Sequence, residues 1–461
     1  MNRDITNIIA MRNSTQLADV VNDFNTHIYG VAWNNESLSK LIRLGQSEQF
    51  IANPCTGMTA AQNDFETADI YKDITEVTDS LGNVFVRIPK FYIKKAVGHS
   101  TMIRAISKKK WDDTWYLPKC FYDFTNNVEL PYVDIGKYPA SLGAGNKLES
   151  KAGVYPLVST HIVNFRTYAN NNNVDGLLGY QQLDIHAYDM LQVLFYVMFA
   201  TLNSQNIMAG WTGGNYVATD TATAETVSGN TIQVTNDVGA KYAIGQPISL
   251  GSSLGSTSIF YGREITNIQV DTPGAGTTTI TFDGNPVNIA VGSVLFNSGW
   301  KNGWSSGLVQ KTGSIGSNTT GKFPMAFLGI ENLYGNIWQF VDGININERQ
   351  SWVCDNAAEY VSNVFTAPYK QVGYVNGSAD GYTVSMGHDP ANPMVSLPIS
   401  VGGAAGTFYG DYYYQTTGQR IALVGGRWSH GAFAGLTFWY LGDSSSIASV
   451  TFGGRLMKKA L

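Results

Sequence analysis

Charge is scarce in this chain of 461 residues: Lys, Arg, Asp and Glu supply only 14%, against about 25% in ordinary domains. The net charge is −5 and no basic block occurs, which argues against nucleic acid as a partner. There are three cysteines, Cys55, Cys120 and Cys354. An odd count without CxxC or Cys/His spacing predicts buried free thiols, not a disulfide framework or a metal site. Long apolar runs are missing too. The longest, Met190 to Ala200 with Gln192 inside, is too short to span a bilayer, so no membrane insertion is expected. None of the six histidines stands in HExxH, and spacing marks no Ser/His/Asp set.

Hydrophobic residues make up 44%, as in a globular chain and not a disordered one. With 49 Gly and 25 Tyr, the surface must be covered largely by Tyr, Asn, Thr, Ser and Gly. That composition suits a low-charge adhesive surface better than a metabolic enzyme.

Near the start, Ile8, Ile9, Leu17, Val20, Val21 and Phe24 fall partly at helical spacing, so a short helix is expected there. YGVAW from Tyr29 and the later LIRLG read as short strands. Residues 82–95, GNVFVRIPKFYIKK, alternate around a proline as an edge strand would. Lys108 to Lys110 beside Asp112 and Asp113 read as a solvated turn of mixed charge. Leu183 to Leu202 is the clearest helix, apolar nearly all round and therefore buried, with Asp184 as its N-cap. His186 and Asp189 within it are expected to take surface or capping roles. From about Thr219 to Ser298 Thr, Ser and Gly dominate between short alternating runs, which predicts an inserted all-β module of five to seven strands. Residues 353–420 show little periodicity and much Tyr, including Tyr412 to Tyr414, and are expected to frame a functional face.

That face should lie in Gly425 to Leu456, GGRWSHGAFAGLTFWYLGDSSSIASVTFGGRL. Glycines recur between aromatics and small polar residues, a vocabulary of binding surfaces. The division expected is Trp428, Gly431, Gly435 and Gly453 as framework. Arg427, Ser429, His430, Ala432, Phe433, Thr437, Trp439 and Tyr440 would be displayed to a ligand.

The order GGxW, GxxAG, GGRL resembles the variable region of proteins diversified by diversity-generating retroelements. Leu328 to Asp342, LGIENLYGNIWQFVD, resembles the GN-[IV]-W-[EQ] core that those proteins share with formylglycine-generating enzymes. Val86 to Lys94 resembles the opening of the same domain in phage tail proteins. The resemblance implies an α+β fold: a C-type-lectin-like domain in two parts, 81–218 and 299–461, interrupted by the all-β module 219–298. Residues 1–80 would be a small mounting or oligomerisation module. It further implies a virion protein at a phage tail tip, a homotrimer attached to other tail proteins, that binds a host cell-surface receptor, glycan or protein, without covalent chemistry. No cofactor and no obligatory metal are implied. The formylglycine-generating activity depends on a cysteine pair late in the domain, and no cysteine follows Cys354; that activity is therefore not expected. A glycan-degrading tail enzyme would need two acids about 5–9.5 Å apart, and Asp411 and Asp443 form no recognisable motif. The first residues, MNRDITNIIAMRN, show no signal-peptide pattern, so synthesis in the host cytoplasm without an export signal is expected.

Overall fold

The computed structural model describes residues 27–34, 41–97, 101–174, 176–271, 274, 276–372, 380–389 and 392–461. The helix expected around Ile8 to Phe24 lies outside these residues. Strands account for 39% of the chain and helices for 12%, so the expected α+β class is corrected to mostly β. The reason lies in segments whose Tyr, Thr, Val and Ile content favours the pleated conformation. Asp380–Asp389 and Asn392–Val401 form a long hairpin and Tyr412–Gln415 follows as a strand, all within the stretch read as irregular, and Gln419–Val424 begins at its end.

One helix organises the core. Ile185–Phe199 starts where the Asp184 carboxylate accepts the Ala187 N–H at 2.8 Å, and it ends at Ala200 in the left-handed region. Every one of its residues is buried, so it lies inside the molecule and not on it. Its last carbonyls are closed from outside: the Arg43 guanidinium donates to Val197 O and Met198 O at 2.7 and 2.6 Å, satisfying acceptors that a helix end leaves open. His186 and Asp189 do not face solvent, as expected of them, but are buried. His186 Nε2 meets the Cys354 carbonyl at 3.0 Å. Asp189 accepts from Lys95 Nζ at 2.6 Å and from Ser396 N–H at 2.9 Å. A buried carboxylate of this kind persists because it is paired and hydrogen-bonded.

Several sheets wrap the helix. One runs in the order Ile42–Gly45, Tyr29–Asn34, Thr101–Ser107, Tyr92–Val97, Trp115–Tyr116. A second runs Tyr180–Gln182, Leu456–Lys459, Tyr132–Gly136, Val84–Pro89, Thr75–Thr78. The expected edge strand over 82–95 is therefore two interior strands in different sheets, turned apart near Pro89. The N-terminal module is corrected as well. Tyr29, Trp33, Phe65 and Tyr71 pack in the same core as the helix, and Cys55–Thr56 pairs in parallel with Gly313–Ser314. Residues 219–298 behave differently. Their seven strands enclose a core of their own, from Ala222 and Ile232 to Ile280 and Leu295. The module leaves and re-enters at one place, where Trp211 Nε1 donates to Ser298 O at 3.0 Å and the Trp211 and Trp300 rings meet edge-on at 6.1 Å.

Arg455, in the GGRL motif, is fully buried. Its guanidinium donates to Gly136 O, Lys137 O, Glu331 O, Asn332 O and Gln339 Oε1 at 2.7–3.2 Å. All three cysteines are free and buried. No helix among the described residues is long and apolar enough to cross a membrane.

Candidate ligand-binding face

The largest sheet places the candidate face. In it Asp380–Asp389, Tyr412–Gln415, Trp439–Leu441 and Gln419–Val424 lie side by side, followed by Trp338–Asn347. Tyr382 pairs with Tyr412, Tyr414 with Tyr440, and Tyr413 with Trp439. Successive side chains of a strand point to opposite faces, so these registers sort the rings into two sets. Tyr413, Trp439 and Leu441 turn inward to the helix core, where Trp439 meets Tyr188 edge-on at 6.5 Å. Tyr382, Tyr412, Tyr414 and Tyr440 turn outward and are half-buried.

The outward rings form a continuous run. Tyr382, Tyr412 and Phe433 touch one another with centroids 4.5–5.6 Å apart. Tyr412 reaches buried Phe438 at 6.0 Å, Phe438 reaches buried Trp338 at 4.5 Å, and Trp338 reaches Tyr440 at 5.4 Å. Tyr440 stacks on Tyr414 at 5.0 Å. His430 fills the angle between Trp338 and Phe438, at 5.1 and 5.4 Å. Rings packed this closely hold one another in place, so little rotamer entropy is left to lose on binding.

The residues expected to be displayed divide sharply. Phe433 is 41% exposed and Ala432 is exposed beside it, both on the short turn Gly431–Phe433. Arg427, Ser429, His430 and Tyr440 are half-buried with outward access. Thr437 and Trp439 are not displayed: both are fully buried. Trp439 is inward by strand alternation, and Thr437 donates its N–H and its hydroxyl to Asp411 Oδ2 at 2.8 and 2.7 Å. Among the framework positions, Trp428 is sealed with Trp211, Phe296 and Ile337. Gly435 (φ 155°) packs so tightly on Asp411 that a side chain would strike the carboxylate. Gly453 is buried against Ile337, but Gly431 is exposed; its φ of 51° is the reason for glycine there.

Two contributors come from outside the C-terminal stretch. Tyr382 belongs to the long hairpin, whose sequence DGYTVSMGHD has no sustained alternation that could have found it. Tyr216, at the base of the inserted module, packs edge-on against Trp428 at 5.8 Å and lies 4.5 Å under the Arg427 guanidinium.

Electrostatically the face is quiet. Arg427 donates to Ser429 Oγ at 3.1 Å and Thr451 Oγ1 at 3.4 Å. Burial, helped by Arg427, pushes the His430 imidazole down to about 3, so it is neutral near pH 7, and its Nδ1 accepts the Arg427 N–H at 3.3 Å. Burial raises Tyr440 to about 12, with Asp443 beside it adding to the shift. Asp411 is buried and pushed up to about 8 by desolvation, against the opposing Thr437 bonds. It faces Thr437 and Gly435, not solvent. Among the described residues no cluster of three or more His, Cys, Asp or Glu could hold a metal ion. A cleft of about 660 Å³ between residues 41–53 and the end of the buried helix is lined by none of these residues. No protein-family model matches this chain, and no curated protein matches it.

Proposed function

We propose that this protein is a phage tail-tip adhesin that binds a host cell-surface receptor without covalent chemistry. The contact surface in this reading is the outward ring run from Tyr382 to Tyr440 together with Arg427, Ser429, His430, Ala432 and Phe433. The observation that carries it is that run: outward rings on adjacent strands, backed by buried Trp338 and Phe438. Rigid aromatic anchors of this kind concentrate binding energy. The sequence resemblance to retroelement-diversified variable regions supports the same reading. In it, the codons a retroelement would vary are those of the accessible residues and not those of Thr437 or Trp439. A template repeat beside the gene, and adenine-rich codons at those positions, would bear on this directly.

The protein acts as a homotrimer on the virion in this reading, held by other tail proteins, because several weak contacts on one particle multiply avidity. Light scattering should return a trimer of 50.1 kDa chains; a clean monomer at micromolar concentration removes the trimer. Adhesion is tested with the full chain and a panel of bacterial strains. Phe433→Ala and Tyr412→Ala together should abolish adsorption while the melting temperature stays near that of the parent. Undiminished adsorption by that double variant would sink the assignment of the face.

A further inference from the structure

The chemistry of the face narrows what can sit on it. Each charged side chain bordering the rings already holds a partner. Arg427 is shared among Ser429, Thr451 and the Tyr216 ring. Asp443 is hydrogen-bonded to Tyr440 and Asp380 to Tyr412, and Arg420 Nε donates to Thr417 O at 2.8 Å. Arg427 and Arg420 are held by neutral acceptors and both acids by phenols, so a charged ligand gains a counter-charge here only by displacing those bonds and shedding its own water, which is costly.

Polypeptide modes fit poorly as well. Tyr412–Gln415 is paired on both sides, by Asp380–Asp389 and by Trp439–Leu441, so these strands offer no free edge for an added strand. An amphipathic helix needs a groove with several apolar anchors, whereas Phe433 is the one large apolar side chain among the face residues that is strongly exposed.

What the face does offer is aromatic surface, edge-on or tilted among Tyr382, Tyr412 and Phe433 and parallel at Tyr414 and Tyr440, bordered by hydroxyls and an amide. The phenols of Tyr414 and Tyr440 flank Gly442 next to a serine turn, where Ser444 and Ser446 hydroxyls meet at 3.0 Å and Asn363 Nδ2 donates to Ser445 Oγ at 3.1 Å, while Tyr382 and Tyr412 stand beside Phe433. A ligand complementary to this has apolar C–H faces, a hydroxylated edge and no charge. Resting on the adhesion reading, we infer that the receptor determinant is a neutral saccharide. Its sugar rings stack on Tyr382, Tyr412 and Phe433, and its hydroxyls meet the tyrosine and serine rim.

The experiment compares adsorption of the full chain to a bacterial strain it recognises, before and after two treatments of the cells. Periodate cleaves the vicinal diols of sugars and spares most protein; a broad protease does the reverse. The expected result is loss of adsorption after periodate, retention after protease, and a loss of about tenfold or more for Tyr412→Ala. Binding should also hold between roughly 0.05 and 0.5 M salt, where ionic contacts would be screened away. Adsorption that survives periodate but not protease overturns the saccharide and leaves adhesion standing, with a protein receptor. Steep loss with salt overturns the neutrality of the ligand. No adsorption to any strain removes the adhesion reading itself, whereas adsorption indifferent to both Tyr412→Ala and Phe433→Ala removes this face and with it the stacked saccharide.

Discussion

Trp439 and Tyr440 are adjacent in sequence, lie on one strand and serve opposite sides of the same sheet. On the inner side, Trp439, Tyr413 and Leu441 complete the core around the buried helix. On the outer side, Tyr440, Tyr414 and Tyr412 are half-buried and engaged mainly with other rings. The contrast teaches that aromatic content does not mark a binding surface. The pleat decides, residue by residue, which ring is sealed in the core and which is left accessible.

The largest effect should come from the inner side. Trp439→Ala empties a fully buried site and should cost about 3–5 kcal/mol of stability, seen as a large drop in melting temperature. If it melts like the parent, the two sides have been exchanged. Thr437→Val should follow, at about 1–3 kcal/mol, because it strips the buried Asp411 carboxyl of a hydroxyl donor; denaturant titration would show it. Phe433→Ala, on the outer side, should change stability by no more than about 0.5 kcal/mol while weakening adsorption by about 2 kcal/mol. A melting temperature lowered as far as in Trp439→Ala would erase the distinction.

The subtlest test uses pH. Asp411, raised to about 8 by burial, keeps its proton in the folded state where an unfolded carboxyl, near 3.9, has lost it. Its folded pKa is raised, so its contribution is greatest at low pH and is lost as pH climbs through about 8. Asp411→Asn should therefore gain stability relative to the parent as pH rises from about 4 to about 8, and level off above that. A constant difference across that range would mean Asp411 is ionised and better solvated than its burial implies.

The buried helix was legible in the sequence because its apolar pattern is long and Asp184 caps it unambiguously. The inserted module was legible for a related reason: its short alternating runs bury their own residues, Ile232 against Ile280 for example, so local pattern and local core coincide. The N-terminal region was not. Tyr29, Phe65 and Tyr71 join the core of the distant helix, where the Tyr71 hydroxyl donates to Leu194 O at 2.9 Å across more than a hundred residues, and no local pattern reports such a partner. At the face the limit is strand length. Trp439–Leu441 has three residues, too few for period-two alternation to stand out, so Trp439 read as displayed. Trp428 read correctly as framework beside its paired glycines. The mostly-β class was missed because strands such as Asp380–Asp389, with Gly381, Gly387 and three acidic or histidine positions, resemble loops in composition.

The position of Arg455 carries a consequence for how the chain is made. Its guanidinium gathers carbonyls from residues 136–137 and 331–332, and the strand after it, Leu456–Lys459, lies between Tyr132–Gly136 and Tyr180–Gln182. On the ribosome, those partners emerge long before the segment that joins them. Until residues 455–459 leave the exit tunnel, the sheet has a gap in its middle and its two flanking strands present open edges, which invite pairing with other chains. The inserted module, whose contacts close within 222–295, has no such wait. Nascent chains should therefore acquire protease resistance in two steps, the module early and the surrounding core after the final strand is released.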